Sequence, residues 1–244
     1  MPDLSSNGLS MKERFHSGEQ FVAVSLTADK TQDEVASIME KGNYDFIFID
    51  SQHAAYNEER LAGFCAMAAE MGIHVQFRVK HTRNTYLVGN YMDLGPAGVE
   101  IPQVELESTV EETIQNFYYP PLGIRSWGGK ARLGIKTRND RSEYSKWWTD
   151  HGVVWIQLES VNAVKNAKKL LKSGVDCLSF GPNDLMFDLE TNSNSHLKTV
   201  DDCLKHVVKQ LQGTNTAVCT RLLPPTSRQH LFDLGVSIIV ENLP

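Results

Sequence analysis

The chain has 244 residues, of which 41% are hydrophobic and 22% are charged. A chain of this length and composition can bury one large core, so we predict a single domain over residues 1–244. The formal net charge of -6 gives no excess of Lys and Arg for binding phosphates, so we expect no nucleic-acid partner.

The sequence also bears on where the protein works. No apolar run reaches the 18 residues of a membrane-spanning helix, and residues 1–14 lack the apolar stretch of a signal peptide, so we expect a cytoplasmic protein with no membrane partner. The cysteines show no Cys-x-x-Cys spacing and lie mostly in apolar stretches, which predicts buried free thiols. They are Cys65, Cys177, Cys203 and Cys219.

Short apolar runs rich in Val, Ile and Phe alternate with longer segments of helical period. The eight runs are residues 21–26, 45–50, 74–79, 97–101, 153–158, 176–180, 216–219 and 236–240. Residues 161–171 and 200–211 repeat apolar side chains at three- and four-residue steps, as helices that cover a sheet do. The pattern predicts an α/β fold, a (β/α)8 TIM barrel, although an open doubly wound sheet has the same local signature.

Two stretches interrupt this alternation. Residues 118–152 are too long for an ordinary connection, and we predict a loop over the mouth of the active site. Residues 188–197 form a run rich in Ser and Asn that predicts a flexible surface connection without chemistry. Gly128-Gly129-Lys130, in the first stretch, could hold an anion, but it lacks a full phosphate-loop pattern, and loop flexibility is the favoured interpretation.

Polar side chains lie at the end of four of the predicted strands or just after it. In a barrel these positions build the active site, because the carboxyl ends of all the strands meet at one opening. They are Asp50 with His53, Arg78, Gln157 with Glu159, and Gly181-Pro182-Asn183-Asp184.

Glu159 and Asp184 follow consecutive strands, whose spacing of about 4.8 Å lets both carboxylates reach one ion. Oxygen ligands suit a hard cation such as Mg²⁺ or Mn²⁺, which leaves positions open for water and substrate. A competing structural interpretation makes Asp184 the N-cap of the helical turn after Gly181-Pro182.

Asp50 and His53 have the spacing of an orienting pair, in which a carboxylate fixes an imidazole that acts as a general base. The alternative is a His with no catalytic role. Arg78 follows a buried strand and needs an anion, which either a structural salt bridge or a substrate carboxylate or enolate would supply.

These residues resemble the HpcH/HpaI aldolase and citrate lyase family of metal-dependent class II pyruvate aldolases, in which 4-hydroxy-2-oxoheptanedioate aldolase is found. The similarity runs from about Asp45 to Asp184. The matching stretches are Phe46-Ile-Phe-Ile-Asp-Ser-Gln-His53, Phe77-Arg-Val79, Gly95-Pro-Ala-Gly-Val-Glu-Ile-Pro102, Tyr119-Pro-Pro-Leu-Gly-Ile-Arg125, Ile156-Gln-Leu-Glu-Ser160 and Gly181-Pro-Asn-Asp-Leu185.

The resemblance implies a barrel of the phosphoenolpyruvate/pyruvate type whose metal ion, Mg²⁺ or Mn²⁺ with Co²⁺ as a further option, binds pyruvate. It implies these roles: metal ligands Glu159 and Asp184, enolate stabilisation by Arg78, proton transfer by His53 oriented by Asp50, and substrate contacts from Gln157, Gly181 and Pro182. A cation at the keto oxygen replaces a lysine Schiff base as the electron sink.

Several positions depart from the family pattern. Gln52 stands where Glu is usual and Lys80 where Pro is usual. The hypothesis for Trp127, Lys130 and Arg132 is that they hold a larger or multiply anionic acceptor. The chain also ends at Pro244, after strand eight, whereas the family continues into a last helix that is exchanged between subunits, so we expect that helix to be missing and still expect a homo-oligomer.

The sequence thus predicts a lyase that joins a 2-oxo acid to an aldehyde, or cleaves such a product, through a metal-stabilised enolate. One alternative is a citrate-synthase-like, decarboxylating or Claisen-type biosynthetic lyase with the same metal site. A further alternative is a barrel that has lost catalysis and serves as a binding subunit.

Overall fold

A computed structural model of the protein describes residues 9–138, 140–192 and 195–243. Eight parallel strands form a closed barrel in which each strand pairs with the next and the eighth pairs with the first. They are β1 (Phe21–Leu26), β2 (Phe46–Asp50), β3 (Val75–Arg78), β4 (Gly98–Ile101), β5 (Val153–Leu158), β6 (Cys177–Phe180), β7 (Ala217–Arg221) and β8 (Ile238–Asn242). The closed order confirms the predicted (β/α)8 barrel and excludes the open sheet.

One helix precedes β1, and the others connect the strands around the outside of the barrel. They are α1 (Met11–His16), α2 (Gln32–Gly42), α3 (Glu58–Glu70), α4 (Val88–Met92), α5 (Glu107–Phe117), α6 (Arg141–His151), α7 (Val161–Lys165), α8 (Ala167–Leu170), α9 (Pro182–Thr191), α10 (Val200–Gln210) and α11 (Arg228–Asp233). Short 3-10 helices span Thr82–Leu87 and Ile135–Thr137.

Local sequence explains where several helices begin. Thr31 and Thr199 each accept a hydrogen bond from the backbone N–H three residues on, and the acidic residue at that position returns one. This reciprocal capping satisfies backbone donors that a helix start otherwise leaves free. The predicted helix over 200–211 is confirmed as α10, whereas the predicted helix over 161–171 divides at Asn166 into α7 and α8.

The strands are buried on both faces. Phe46, Ile47, Phe48 and Ile49 are each at most 2% exposed, as their uninterrupted apolar run predicts for a sheet covered on both sides. Alternate residues point into the barrel or out towards the helices. The result is one core inside the barrel and a second between strands and helices.

The inside of the barrel changes from apolar to polar along its axis. At the amino-terminal end, Phe15 of α1 packs edge-on against Phe21 and Phe46 and lies 6.0 Å, centroid to centroid, from Trp155. Nearer the carboxyl ends of the strands the interior holds fully buried polar side chains: Glu100, Gln157 and Ser179. Aromatic rings therefore fill the amino-terminal end of the barrel, and the polar and ionisable side chains lie towards the carboxyl-terminal end.

The prediction for residues 118–152 was right only in part. Residues 118–134 contain no helix or strand, as predicted for a loop, but Arg141–His151 form α6, and the described residues of the segment do not line the cavity at the carboxyl ends of the strands. Arg132 is buried and lies 4.0 Å from the Trp127 ring centroid while donating to Tyr119 and Gly129. Arg132 also lies over the ring of Tyr144, whose hydroxyl donates to the Leu133 carbonyl, so aromatic and guanidinium groups pack this loop against α6.

Three further expectations can be compared with the structure. α9 extends to Thr191, so the start of the predicted connection at 188–197 is helical, and residues 193 and 194 lie outside the described part of the chain. All four cysteines are buried and free, as predicted. No helix among the described residues is long and apolar enough to cross a membrane.

Candidate active site

A cavity of about 170 Å³ opens at the carboxyl ends of the strands, and we call it the mouth cavity. All eight residues that the sequence nominated for the site line it: Asp50, His53, Arg78, Gln157, Glu159, Gly181, Pro182 and Asp184. The strands bring them together from positions more than 130 residues apart in the chain, although their individual roles stay predictions.

Glu159 follows β5 and is only 7% exposed. Its Oε2 accepts a hydrogen bond of 2.7 Å from the backbone N–H of Gln103. Gln103 has a φ of 50°, a left-handed conformation that is uncommon for a residue other than Gly, and it aims this N–H at the carboxylate. The sequence did not predict this role of Gln103, since any residue except proline can supply a backbone donor.

Gly181 gives the Glu159 carboxylate its space. A Cβ at this position would lie 2.8 Å from Glu159 Cδ and closer still to Oε1. Glu159 therefore lies directly against the backbone at the start of α9, and any larger residue at position 181 would displace it.

Burial, and after it the negative charge of Asp184, raise the pKa of Glu159 from 4.5 to about 7, although the Gln103 N–H works in the opposite direction. Asp184 is exposed and lies in the first turn of α9. The N-cap of that helix is Gly181, with Pro182 at the first helical position, so the alternative N-cap interpretation of Asp184 is wrong. Two carboxylates thus interact in one cavity, and no cationic side chain of the described residues is bonded to either.

Arg78 lies across the cavity from this pair, and Asp50 fixes it. Arg78 Nε donates to Asp50 Oδ1 at 2.8 Å, and Nη2 donates to Oδ2 at 2.6 Å. Burial disfavours the charged form of Asp50, but these bonds and the Gln52 N–H outweigh it and hold the pKa of Asp50 below its ordinary value. Arg78 Nη1 also donates to Gln157 Oε1 at 3.3 Å.

The predicted orienting bond between Asp50 and His53 is not formed. Both Asp50 oxygens are used by Arg78 and Gln52, and His53 lies exposed in the loop after β2, on the cavity wall. A bidentate guanidinium satisfies a half-buried carboxylate better than one imidazole N–H does. Asp50 therefore orients Arg78 rather than His53.

A second Arg–carboxylate pair beneath the cavity was missed. Glu100 of β4 is fully buried and accepts hydrogen bonds from Ser179 and from both Nη atoms of Arg221, which ends β7. A Glu inside a predicted buried strand was itself a signal, because it requires a cation. Arg221 escaped notice because the predicted strand ended two residues early, at Cys219.

The departures from the family pattern lie outside the cavity. Gln52 contributes its backbone N–H to Asp50, and neither it nor the exposed Lys80 lines the wall. Lys130 and Arg132 do not line it either, so the structure gives no support to their proposed acceptor contacts. A larger cavity, about 620 Å³, is lined only by residues between 119 and 150 and lacks the buried ionisable groups of the strand ends.

The geometry can be compared with known proteins. The sequence profile of the family described as HpcH/HpaI aldolase/citrate lyase matches residues 26–237. The 2-keto-3-deoxy-L-rhamnonate aldolase of Escherichia coli O6:K15:H31 (strain 536 / UPEC) is 25% identical over 230 residues, which cover 93% of this chain and 84% of that protein. The hydroxypyruvate/pyruvate aldolase of Delftia acidovorans (strain DSM 14801 / SPH-1) is 26% identical over 191 residues, or 78% of this chain and 70% of that protein.

A solved structure shares the fold. The HpcH/HpaI aldolase from Desulfitobacterium hafniense DCB-2 superimposes with a TM-score of 0.81 at 23% identity and covers 96% of this chain and 90% of that one. The profile match spans most of the chain. The protein therefore belongs to the HpcH/HpaI aldolase/citrate lyase family and is an enzyme of the lyase class.

Proposed function

We propose that this lyase is a divalent-metal-dependent aldolase that forms or cleaves a carbon–carbon bond to pyruvate or a related 2-oxo acid through an enolate. The observation that carries the proposal is the interacting pair Glu159 and Asp184 at the mouth cavity. The names of the two aldolase relatives, which specify 2-oxo acids, support the substrate class.

The charges around the cavity fit a divalent cation. Four carboxylates and two guanidinium groups lie in it or directly beneath it: Asp50, Glu100, Glu159, Asp184, Arg78 and Arg221. When all are ionised, two negative charges remain, which is the charge that one divalent ion neutralises. Among the described residues no three His, Cys, Asp or Glu side chains converge on a metal position, but Mg²⁺ and Mn²⁺ need only one or two carboxylates.

Glu159 and Asp184 would hold the ion, with Gly181 leaving room for the Glu159 carboxylate. Mg²⁺, Mn²⁺ or Co²⁺ all accept oxygen ligands, and the bound ion would supply the positive charge that stabilises an enolate. Side chains and backbone groups of the protein would carry out the remaining steps.

Arg78 donates to the developing enolate oxygen, since Asp50 and Gln157 hold its guanidinium in one orientation. Gln157 Nε2 is buried with no hydrogen-bond partner in the described part of the chain, so it is free to donate to a substrate oxygen. The start of α9 has no side-chain cap. Pro182 lacks an N–H and the Gly181 N–H donates to Leu158, so the backbone N–H groups of Asn183 and Asp184 are the ones left for a substrate carboxylate. His53 moves the proton between the acceptor hydroxyl and water.

The test follows the methyl protons of pyruvate in D₂O with added Mg²⁺ or Mn²⁺, because their exchange reports enolate formation without knowledge of the second substrate. We expect exchange in the wild-type protein and its loss in Glu159→Ala. The matched control is Glu190→Ala, which removes an exposed carboxylate from α9 and should exchange normally. Exchange that persists in Glu159→Ala, or that no divalent ion supports in the wild type, would refute the proposal.

We also propose that the protein forms a homo-oligomer. Several large apolar side chains are exposed: Leu122, Ile124, Met186 and Phe187. Ile124 and Phe187 are 70% and 71% exposed, which is costly for a monomer in water. Light scattering at micromolar concentration tests this, and a monomer mass would contradict it.

A further inference from the structure

One wall of the mouth cavity carries polar side chains that have no role in the proposed formation of the enolate. It is built from β7, β8 and β1 and presents the polar side chains of Arg221, Asn242 and Ser25, which we call the far wall. Glu159 and Asp184 come from the ends of β5 and β6. The far wall lines the same cavity on the side of β7, β8 and β1, so a second substrate bound there would lie beside a donor held at these two carboxylates.

Arg221 is held in a fixed position. Its Nη1 and Nη2 donate to Glu100, which is 0% exposed, and its guanidinium lies over the Phe48 ring at 4.5 Å from the centroid. Within the described residues, no protein acceptor binds Arg221 Nε, and its side chain is 15% exposed at the cavity. A guanidinium positioned in this way can offer its remaining donors without reorganising.

The neighbouring strands add two open hydrogen-bonding groups. Ser25 and Asn242 are register partners in the β1–β8 ladder, so their side chains point the same way. Neither side chain has a hydrogen bond to another described residue. Glu241, between Val240 and Asn242, points outward and binds Arg228, so this wall carries no carboxylate that would repel an anion.

We infer that Arg221, Asn242 and Ser25 form the acceptor subsite and select a carbonyl acceptor that carries a carboxylate, a short oxo acid or aldehyde acid, over a neutral aldehyde. The inference rests on the proposed function and specifies the chemical class of the second substrate, the acceptor. The donor enolate carbon forms a bond to the acceptor carbonyl carbon, and the carbonyl oxygen takes a proton. The acceptor carboxylate is unchanged by the reaction and serves only in recognition.

A cavity of about 170 Å³ favours a small acceptor of this kind. A neutral aldehyde would leave Arg221 donors facing an apolar or hydroxyl group in a confined space, and a site built to bind a charged group discriminates against analogues that lack it. A purely structural Arg221, present only to neutralise Glu100, would show no such preference.

The experiment compares glyoxylate with glycolaldehyde, which have the same carbon count and differ by a carboxylate, as acceptors for pyruvate with Mg²⁺. We expect kcat/KM for glyoxylate to exceed that for glycolaldehyde at least tenfold in the wild type. Arg221→Gln should reduce this ratio at least tenfold. Lys80→Gln, which removes an exposed cation outside the cavity, is the matched control and should keep the wild-type ratio.

Arg221→Gln could fail to fold, because it leaves Glu100 buried and unpaired. Asn242→Asp avoids this problem, since Asn242 is exposed and the Arg221–Glu100 pair stays intact. It places a negative charge on the far wall and should raise KM for glyoxylate at least tenfold more than KM for glycolaldehyde.

Equal wild-type rates with the two acceptors would overturn the inference about the acceptor subsite. So would a preference for glyoxylate that is unchanged in both Arg221→Gln and Asn242→Asp. Neither result would bear on the proposed function. Methyl-proton exchange of pyruvate, measured on the same samples, separates this result from failure of the proposed function. Wild-type protein that exchanges protons but shows no preference for the acid disproves only the acceptor subsite, whereas absence of exchange removes the enolate and the subsite together.

Discussion

The charged side chains at the mouth cavity are paired in two different ways. Arg78 with Asp50, and Arg221 with Glu100, are closed ion pairs in which each guanidinium meets its carboxylate through two hydrogen bonds. Glu159 and Asp184 are like charges, and burial together with Asp184 raises the pKa of Glu159 to about 7. The closed pairs stabilise the site, whereas the open pair leaves a charge that a ligand must neutralise.

The largest expected effect comes from opening a closed pair. Glu100→Gln removes the carboxylate that neutralises Arg221, and leaving a buried charge unpaired should lower the free energy of unfolding by about 3–5 kcal/mol, measured by urea denaturation. Glu111→Gln is the control, since Glu111 pairs with Lys172 at the surface, and it should cost under about 1 kcal/mol. Similar losses of unfolding free energy in the two variants would show that the buried Glu100–Arg221 pair contributes no more to stability than a surface pair.

Arg78→Lys should keep the charge of the other closed pair but lose its two-point contact with Asp50. We expect pyruvate methyl exchange to slow by about 10²–10³-fold, as when one preorganised donor is removed from a reacting oxygen. Arg83→Lys, an exposed position in the turn after the same strand, serves as the control. A loss of less than fivefold in Arg78→Lys would mean that the guanidinium geometry is not needed.

The open pair should make stability depend on pH. Because the pKa of Glu159 in the folded protein lies at about 7, above its ordinary 4.5, the folded state binds the extra proton. The resulting stabilisation is complete below about pH 4.5 and is lost as pH rises through about 7, with a limit of about 3 kcal/mol.

In a chelating buffer, the wild-type Tm should therefore fall between pH 5 and pH 8 by about 5 °C more than the Tm of Glu159→Gln, which cannot ionise there. Mn²⁺ added at pH 8 should recover the difference only in the wild type. Parallel pH profiles for the two proteins would contradict the raised pKa.

The smallest effect should come from crowding the open pair. Gly181→Ala places a methyl group against the Glu159 carboxylate and should displace it without adding or removing charge. We expect the Mn²⁺ affinity, measured by calorimetry, to fall about tenfold, which corresponds to about 1.4 kcal/mol. Gly63→Ala, which meets no atom within 4 Å, should bind Mn²⁺ normally.

The sequence predicted the barrel because every strand is a short apolar run, and all eight predicted runs overlap an observed strand. It nominated Glu159 and Asp184 because both directly follow such runs. The pairing of Glu100 with Arg221 could not be read in this way, since the two residues lie 121 positions apart on strands that are not neighbours. Nor could the sequence predict that Asp50 pairs with Arg78 rather than with His53, because the two side chains compete for this carboxylate only in the folded protein.

The aromatic cluster at the amino-terminal end fills that end of the barrel. Phe15 of α1 packs beside Phe21, Phe46 and Trp155, so small molecules can reach the ionisable side chains only from the carboxyl ends of the strands. The short helix α1 thus keeps water out from beneath the site, although none of its residues lines the mouth cavity.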